Sequence, residues 1–370
     1  MVKRKALLLS ASVFLICGCG VGRQLIDVHP ESLVVAGGTS GACLSLALAG
    51  DALLAVYPDK ATTTLDMLQI PVGPHLPERP PAATIIDKVD VAPPLSSRFG
   101  EHVLAASGGT ATVLYLDRVS DAKTVLKAAS RSLNETQWSL DILEPAGEPL
   151  AALPDGKGAF DVFWSAGSLF SRKLWGPVST PLSYVTPFTL EGRACSSSAD
   201  GFTAFDSESN SLLAIRRSAA GFTRMTVPGA GPVHASLVSS MGILSVLSWD
   251  PRTRRLGVWE QKSATGGFTR SIVTLCDSTD SVALLPGPAA STYLFLFDES
   301  RTRGGGKTLY QLSLIAPASR LGRGGAQYRK AVLVSGDTPI DAFAAVETAD
   351  AVYALVLQGH LMLLRVGLSP

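Results

Sequence analysis

Short runs rich in β-branched, aromatic and aliphatic residues, punctuated by Gly, Pro, Ser and Asp, recur along this chain in groups of four. The clearest group reads VHASLVS (233–239), GILSVLSW (242–249), RLGVWEQ (255–261) and FTRSIVTL (268–275). The next reads DSVALL (280–285), TYLFLF (292–297), KTLYQLSL (307–314) and YRKAVLVS (328–335). The preceding group reads RACSSSA (193–199), GFTAF (201–205), SLLAIRR (211–217) and FTRMTVP (222–228). Two markers keep phase across these groups. An aromatic followed by Asp closes the second run at Phe205-Asp206, Trp249-Asp250 and Phe297-Asp298, at spacings of 44 and 48. Gly-Phe-Thr-Arg opens the fourth run at Gly221 and again at Gly267. An Asp at that point can bond the backbone of the turn that follows. Helical 3.6-residue periodicity is scarce after residue 30, so the chain is predicted to be all-β.

Earlier groups start at Cys43, at His102 and at Leu150. The last, over 340–366, has three runs only, and the run 31–36 belongs to no group. This arrangement resembles a β-propeller in which an N-terminal strand completes the last blade. A repeat of about 40–60 residues suits four-stranded blades, and closure protects strand edges that would otherwise invite aggregation. The expected fold is a seven-bladed β-propeller closed by an N-terminal strand. Two packed sandwiches would explain neither the phased markers nor the spare strand. A membrane barrel needs strands of about ten residues with strict alternation. The chain is 46% hydrophobic and only 17% charged, yet after residue 18 no apolar run approaches the length of a membrane helix. Such a composition points to central strands buried on both faces, as LSVLSW, TYLFLF and YALVL read.

The N-terminus carries Lys3, Arg4 and Lys5, an apolar stretch from Ala6 to Ile16, and then Ile16-Cys17-Gly18-Cys19. This resembles the bacterial lipobox, with Cys at the position before Gly as a departure from the commonest pattern. The resemblance implies a signal peptide over 1–18, cleavage before Cys19, and acylation of Cys19. A lipidated tether over 19–30 and the propeller over 31–370 follow. Several acyl chains give stable attachment to membrane lipid. The implied location is a bacterial cell-envelope membrane, on the periplasmic side or at the outer membrane. Residues 1–18 hold three of the 32 basic residues and no acidic one, which leaves 29 basic against 31 acidic residues. That balance excludes bulk nucleic-acid binding, which needs a basic excess. Cys43, Cys195 and Cys276 fall in blades one, four and five, too far apart for a disulfide, and are expected as buried thiols.

No catalytic or metal constellation emerges. Ser198-Ala-Asp200-Gly201-Phe-Thr203-Ala-Phe205 approaches the Asp-box of sialidase-like propellers but lacks one residue and occurs once. Gly304-Gly-Gly-Lys307-Thr308 has Arg301 where a phosphate loop needs Gly. Asp206-Ser-Glu208-Ser-Asn210 lacks the Gly and Glu of a calcium loop. The five histidines lie far apart in sequence; His102 and His234, in first strands, could face the central channel. No G-x-S-x-G elbow is present. The reading is therefore of a chain with no cofactor and no metal, and of a binding protein rather than an enzyme. The alternative is a glycan- or small-ligand-binding propeller, or a propeller enzyme, working through its channel.

One surface feature stands out. The second turn of blade five holds Arg252, Arg254 and Arg255, and the equivalent turn of blade six holds Arg301, Arg303 and Lys307. Adjacent blades would gather these on one rim, where arginine forks suit carboxylates or phosphates of an acidic envelope partner. The opposite face carries Pro71-Val-Gly-Pro-His75-Leu-Pro-Glu-Arg-Pro-Pro81, a docking strip or a stiff turn. By plan alone, lipobox plus blades, the chain is similar to the propeller lipoprotein of the outer-membrane β-barrel assembly machinery. The similarity implies a protein-binding scaffold and assigns no residue a role. In cells grown on labelled palmitate, the wild-type protein is expected to carry label and Cys19→Ala none; an unlabelled wild type removes the lipoprotein reading.

Overall fold

The computed structural model describes residues 22–25, 29–37, 43–59, 64–88, 99–120, 123–174, 183–187, 200–206, 209, 211–218, 221–238, 242–263, 266–287, 292–302, 306–317 and 328–368. Among them there is no helix, and the strands form seven separate sheets. The chain begins with β1 (Gly22–Leu25) and β2 (Glu31–Ala36). Blade one is β3 (Ser45–Ala49), β4 (Ala52–Asp59), β5 (Thr64–Pro71) and β6 (Thr84–Lys88). Blade two is β7 (Phe99–Ser107), β8 (Thr110–Ser120), β9 (Lys123–Ser132) and β10 (Ser139–Leu143). Blade three is β11 (Glu148–Pro154), β12 (Phe160–Ser165), β13 (Ser168–Leu174) and β14 (Ser183–Pro187). Blade four shows β15 (Gly201–Asp206), β16 (Ser211–Ser218) and β17 (Gly221–Val227); the first strand expected over 193–199 lies outside the described residues. Blade five is β18 (His234–Val238), β19 (Leu244–Asp250), β20 (Arg255–Gln261) and β21 (Phe268–Leu275). Blade six is β22 (Val282–Pro286), β23 (Tyr293–Thr302), β24 (Thr308–Pro317) and β25 (Tyr328–Gly336). Blade seven is β26 (Ala342–Glu347), β27 (Ala351–Gln358) and β28 (His360–Gly367), completed by β2.

First strands of successive blades lie side by side, β3 by β7, β7 by β11, β18 by β22 and β22 by β26, and β26 returns to β3. The fold is the expected seven-bladed propeller. Its energetics are written into the central strands. Along β4, Leu53, Ala55 and Tyr57 face blade seven, where they meet Tyr353, Leu355 and Leu363. Leu54 and Val56 point the other way and pack on Val113 and Tyr115 of blade two. Alternation of the pleat thus divides one apolar run between two interfaces. The same division repeats around the ring, giving one apolar cluster at each of the seven blade junctions. Leu53 and Leu54 are wholly buried, and each such side chain contributes on the order of 2 kcal/mol.

Closure runs as the sequence suggests. β2 pairs antiparallel with β28, from Glu31 opposite Arg365 to Ala36 opposite Leu361. The proline-rich segment after β5 proves to be a turn that clasps this seam. Glu31 accepts hydrogen bonds from the Leu76 amide at 2.8 Å, and His75 Nδ1 lies 3.0 Å from the same carboxylate. Gly73 O accepts from Tyr353 Oη and from Arg365 Nε, both at 3.1 Å, while Arg365 also reaches Glu31 at 3.4 Å. Val72 and Leu76 pack against the core between blades seven and one. β1, within the stretch expected to serve as a tether, pairs in parallel with β25 on the outer edge of blade six.

Other junctions carry polar ties. Lys127 of blade two reaches Asp87 of blade one at 2.7 Å and the fully buried Asp117 at 2.8 Å. Arg217 of blade four reaches Asp161 of blade three at 2.9 Å, and Tyr293 of blade six donates to Glu260 of blade five at 2.9 Å. A buried carboxylate is tolerated when cations or hydrogen-bond donors meet its oxygens.

Glu31→Ala removes the carboxylate shared by blades one and seven. The amides of β2 and β28 are expected to exchange hydrogen at least about tenfold faster, with blade three unaffected. Exchange by mass spectrometry reads this; an unchanged seam removes Glu31 from its closure.

Candidate partner-binding face

Strands alternate in direction, so the turns between second and third strands share one face with the links between blades. The aromatic–Asp markers end at that face and shape it. Asp206 accepts from Ser209 Oγ at 2.6 Å. Asp250 accepts from the Arg252 amide at 3.0 Å and from Thr253 Oγ1 at 2.8 Å; the Thr253 hydroxyl holds its carboxyl below the usual range. Both cap their own turn, as expected. Asp298 does not. The β23–β24 hairpin continues past it for four more rungs, to Thr302 opposite Thr308, so the turn is out of reach. Asp298 instead binds the link entering blade six: Thr279 Oγ1 at 2.8 Å and the amides of Asp280 at 3.1 Å and Ser281 at 2.7 Å.

The predicted rim residues sort as follows. Arg252, Arg254 and Arg255 are exposed on the tight blade-five turn. Arg254 lies 3.6 Å from Asp277, an exposed pair of little energetic weight. Arg301 is exposed on the long hairpin, and its guanidinium is held by the buried Glu299 at 2.8 Å. Lys307 is exposed at the end of the same hairpin, and Arg303 lies outside the described residues. Arg301 stands three residues past Asp298, so relative to the blade-five turn it is raised by about 10 Å. The two groups share a face but are staggered, and Arg301 is partly committed to Glu299. Sequence reading missed Asp277 and Glu299 as partners because neither is close in pattern to the arginine repeat.

Arg254 has φ +52°, alone among the described non-glycine residues in the left-handed region. Glycine occupies such a position at little cost, whereas an arginine there is strained. Its carbonyl accepts the Cys276 amide at 3.0 Å, which fixes the turn to the outer edge of the blade.

The two first-strand histidines that could have faced the channel are both buried. His102 is buried, with Nε2 3.2 Å from Val56 O of blade one. His234 is buried with Nδ1 2.7 Å from Pro232 O, and burial pushes it down to about 4 against the pull of its carbonyl partners. Both are parts of the core. Cys276 is a buried thiol, raised to about 12 by burial, as expected; Cys43 is also unbridged but only half-buried, a correction. It sits just before β3, where it accepts the His102 amide at 3.3 Å. Cys19 and Cys195 lie outside the described residues. Inner strands such as β3 (SLALA) and β22 (VALLP) bring small and aliphatic side chains to the ring centre. Carboxylates occur at its ends. Glu148 of β11 is raised by burial and by the charge of Glu101 on β7, and Glu347 at the end of β26 is raised by burial to about 7. Among the described residues no His, Cys, Asp and Glu cluster could hold a metal.

No family profile and no curated relative matches the chain. Solved structures do. A structure of YCF48 bound to D1 peptide aligns with TM-score 0.56 and 12% identity, over 93% of this chain and 97% of that one. A chain of the mitotic checkpoint complex aligns with TM-score 0.55 and 10% identity, over 95% and 94%. Streptogramin B lyase aligns with TM-score 0.52 and 9% identity, over 92% and 98%. The likeness is one of fold.

His234 and Glu347 oppose each other in acid. Below about pH 6.5 the unfolded chain protonates His234 while the folded one resists to about 4, so stability is lost, by about 3 kcal/mol in full. Glu347 binds its proton in the fold near 7 and not until about 4.5 when unfolded, so acidification over that span adds stability. Between pH 7.5 and 5, urea midpoints should fall more for Glu347→Gln than for wild type, and less for His234→Asn. Parallel curves for all three would refute the assignment.

Proposed function

We propose that this protein is a lipid-anchored scaffold of the bacterial envelope that presents the turn-and-link face of its propeller to a protein partner bearing acidic groups. Attachment rests on the lipobox resemblance at Cys19. The binding role is carried by Arg254. An exposed arginine held at positive φ costs stability that a glycine would not, and strain of this kind gathers where a side chain has work to do. Arg252 and Arg255 flank it on the same exposed turn, and guanidinium forks match carboxylates. The raised blade-six hairpin, with Arg301 braced by Glu299, forms a wall beside that turn. YCF48 with its bound D1 peptide, and the checkpoint complex, are propeller-containing structures of like fold in which a peptide or other chains are present.

A second reading, a small-ligand site or enzyme in the channel, draws on the neighbouring carboxylates Glu101 and Glu148 and on the fold shared with streptogramin B lyase. Cross-linking of the intact lipoprotein in membranes separates the two readings. Arg254→Gly is expected to keep or raise the melting temperature, because the strain is relieved, while partner capture falls several-fold. Charge reversal at Arg252, Arg254, Arg301 and Arg303 should abolish capture. Capture unchanged in the reversed protein refutes the rim.

A further inference from the structure

Beside the arginine turn, the same face holds a small cavity of about 60 Å³ at the junction of blade six with its two links. Its walls come from three separate segments. Ser278, Thr279 and Asp280 arrive on the link from blade five, Asp298, Glu299, Ser300 and Tyr310 belong to the hairpin, and Pro339 and Ile340 stand on the link to blade seven. The hairpin's alternation sets the chemistry. Leu294 and Leu296 pack toward blade seven, so Asp298 and Ser300, in phase with them, face this cavity. Phe295 and Phe297 pack toward blade five, and Glu299 and Arg301 follow them. Glu299 also borders the cavity, but its carboxylate is committed: it binds Lys330, Arg301 at 2.8 Å and Ser313 at 2.8 Å, so those two cations are held by it.

Asp298 is thereby left as the floor of the cavity, only 9% exposed, with neutral donors on Oδ1: one hydroxyl and two amides. Among the described residues no Lys, Arg or His lies within ion-pair distance of Asp298 or of Asp280. Burial and the charge of Asp280 both raise the Asp298 carboxyl, the condition that a bound cation would relieve. Tyr310 supplies an aromatic ring and Pro339 with Ile340 an apolar wall, surroundings that favour a cation with a methylene stem. The volume admits an ammonium group and a short length of stem but no whole metabolite.

We infer that this notch receives the ammonium group of a lysine side chain from the protein partner, held between Asp298, Asp280 and the Tyr310 ring. The inference deepens the scaffold reading and rests on it for the source of the lysine. A partner engaged here would meet two different tests of charge, arginines at the blade-five turn and carboxylates at the notch. That pairing fixes orientation as well as affinity.

The experiment is saturation-transfer NMR on the purified full-length protein in detergent. Its probes are Nα-acetyl-lysine methylamide, the Nε-acetylated analogue, the norleucine analogue and ethylammonium. The lysine probe should bind saturably with a Kd of about 1–10 mM, and the two uncharged analogues at least about tenfold more weakly. Asp298→Asn keeps an acceptor for all three donors and removes the charge, so it should retain the wild-type melting temperature and lose about tenfold in affinity. Tyr310→Ala, on the cavity wall, should weaken binding several-fold, guarding against a fold defect in the first variant. Arg172→Ala, on β13 of blade three, should leave lysine binding unchanged, and saturable lysine binding where the intact lipoprotein captures no partner keeps failure of the scaffold reading distinct from failure of the notch. Equal binding by the uncharged analogues, no saturation by 50 mM, or full affinity in both variants overturns the inference. Ethylammonium binding tighter than the lysine probe would assign the notch to free small amines and overturn the protein source.

Discussion

The antiparallel seam between β2 and β28 makes one body of seven sheets, none of which could stand in water by itself. Each central strand is apolar on both faces, and each face requires a different neighbour. Leu53 needs blade seven and Leu54 needs blade two. Such a requirement has no end unless the chain returns to its beginning. An open array would leave one broad apolar face at either side. The ring is therefore a consequence of the central strands, and the closing strand is what makes it attainable.

Polar contacts settle where the blades stand relative to each other. The Glu31–Gly73–Arg365 clasp, the Lys127 pair and the Arg217–Asp161 pair each join residues from neighbouring blades or cap their junction. Apolar packing alone tolerates sliding; a carboxylate that must find its cation does not.

Much of this was legible in letters. Doubly apolar strands, a spare strand at 31–36 and the phased aromatic–Asp pairs carry the blade count, because pleat period and ring closure leave few alternatives. The Asp caps at 206 and 250 were legible for the same reason: they act within three residues. What stayed hidden depends on register. Nothing in the composition of 298–308 says that the hairpin runs four rungs beyond its marker, and from that length follow the new partners of Asp298, the elevation of Arg301 and the notch. Partners of the arginines, Asp277 and Glu299, were likewise a matter of three-dimensional placement. The direction of the histidines was not legible, since a first-strand residue has one side on the channel and one on the next blade, and His102 takes the latter.

The seam also orders events in time. Glu31 and Arg365 are 334 positions apart, so β2, made early, must wait for β28, the last of the described strands. Until β28 is available, β2 is an unpaired edge rich in valine and leucine, and blade seven is incomplete. Among the described strand pairings, β2 with β28 closes the longest loop, and its entropic cost is correspondingly the largest. The apolar edge of β2 must therefore stay shielded for the whole time that six blades take to assemble behind it.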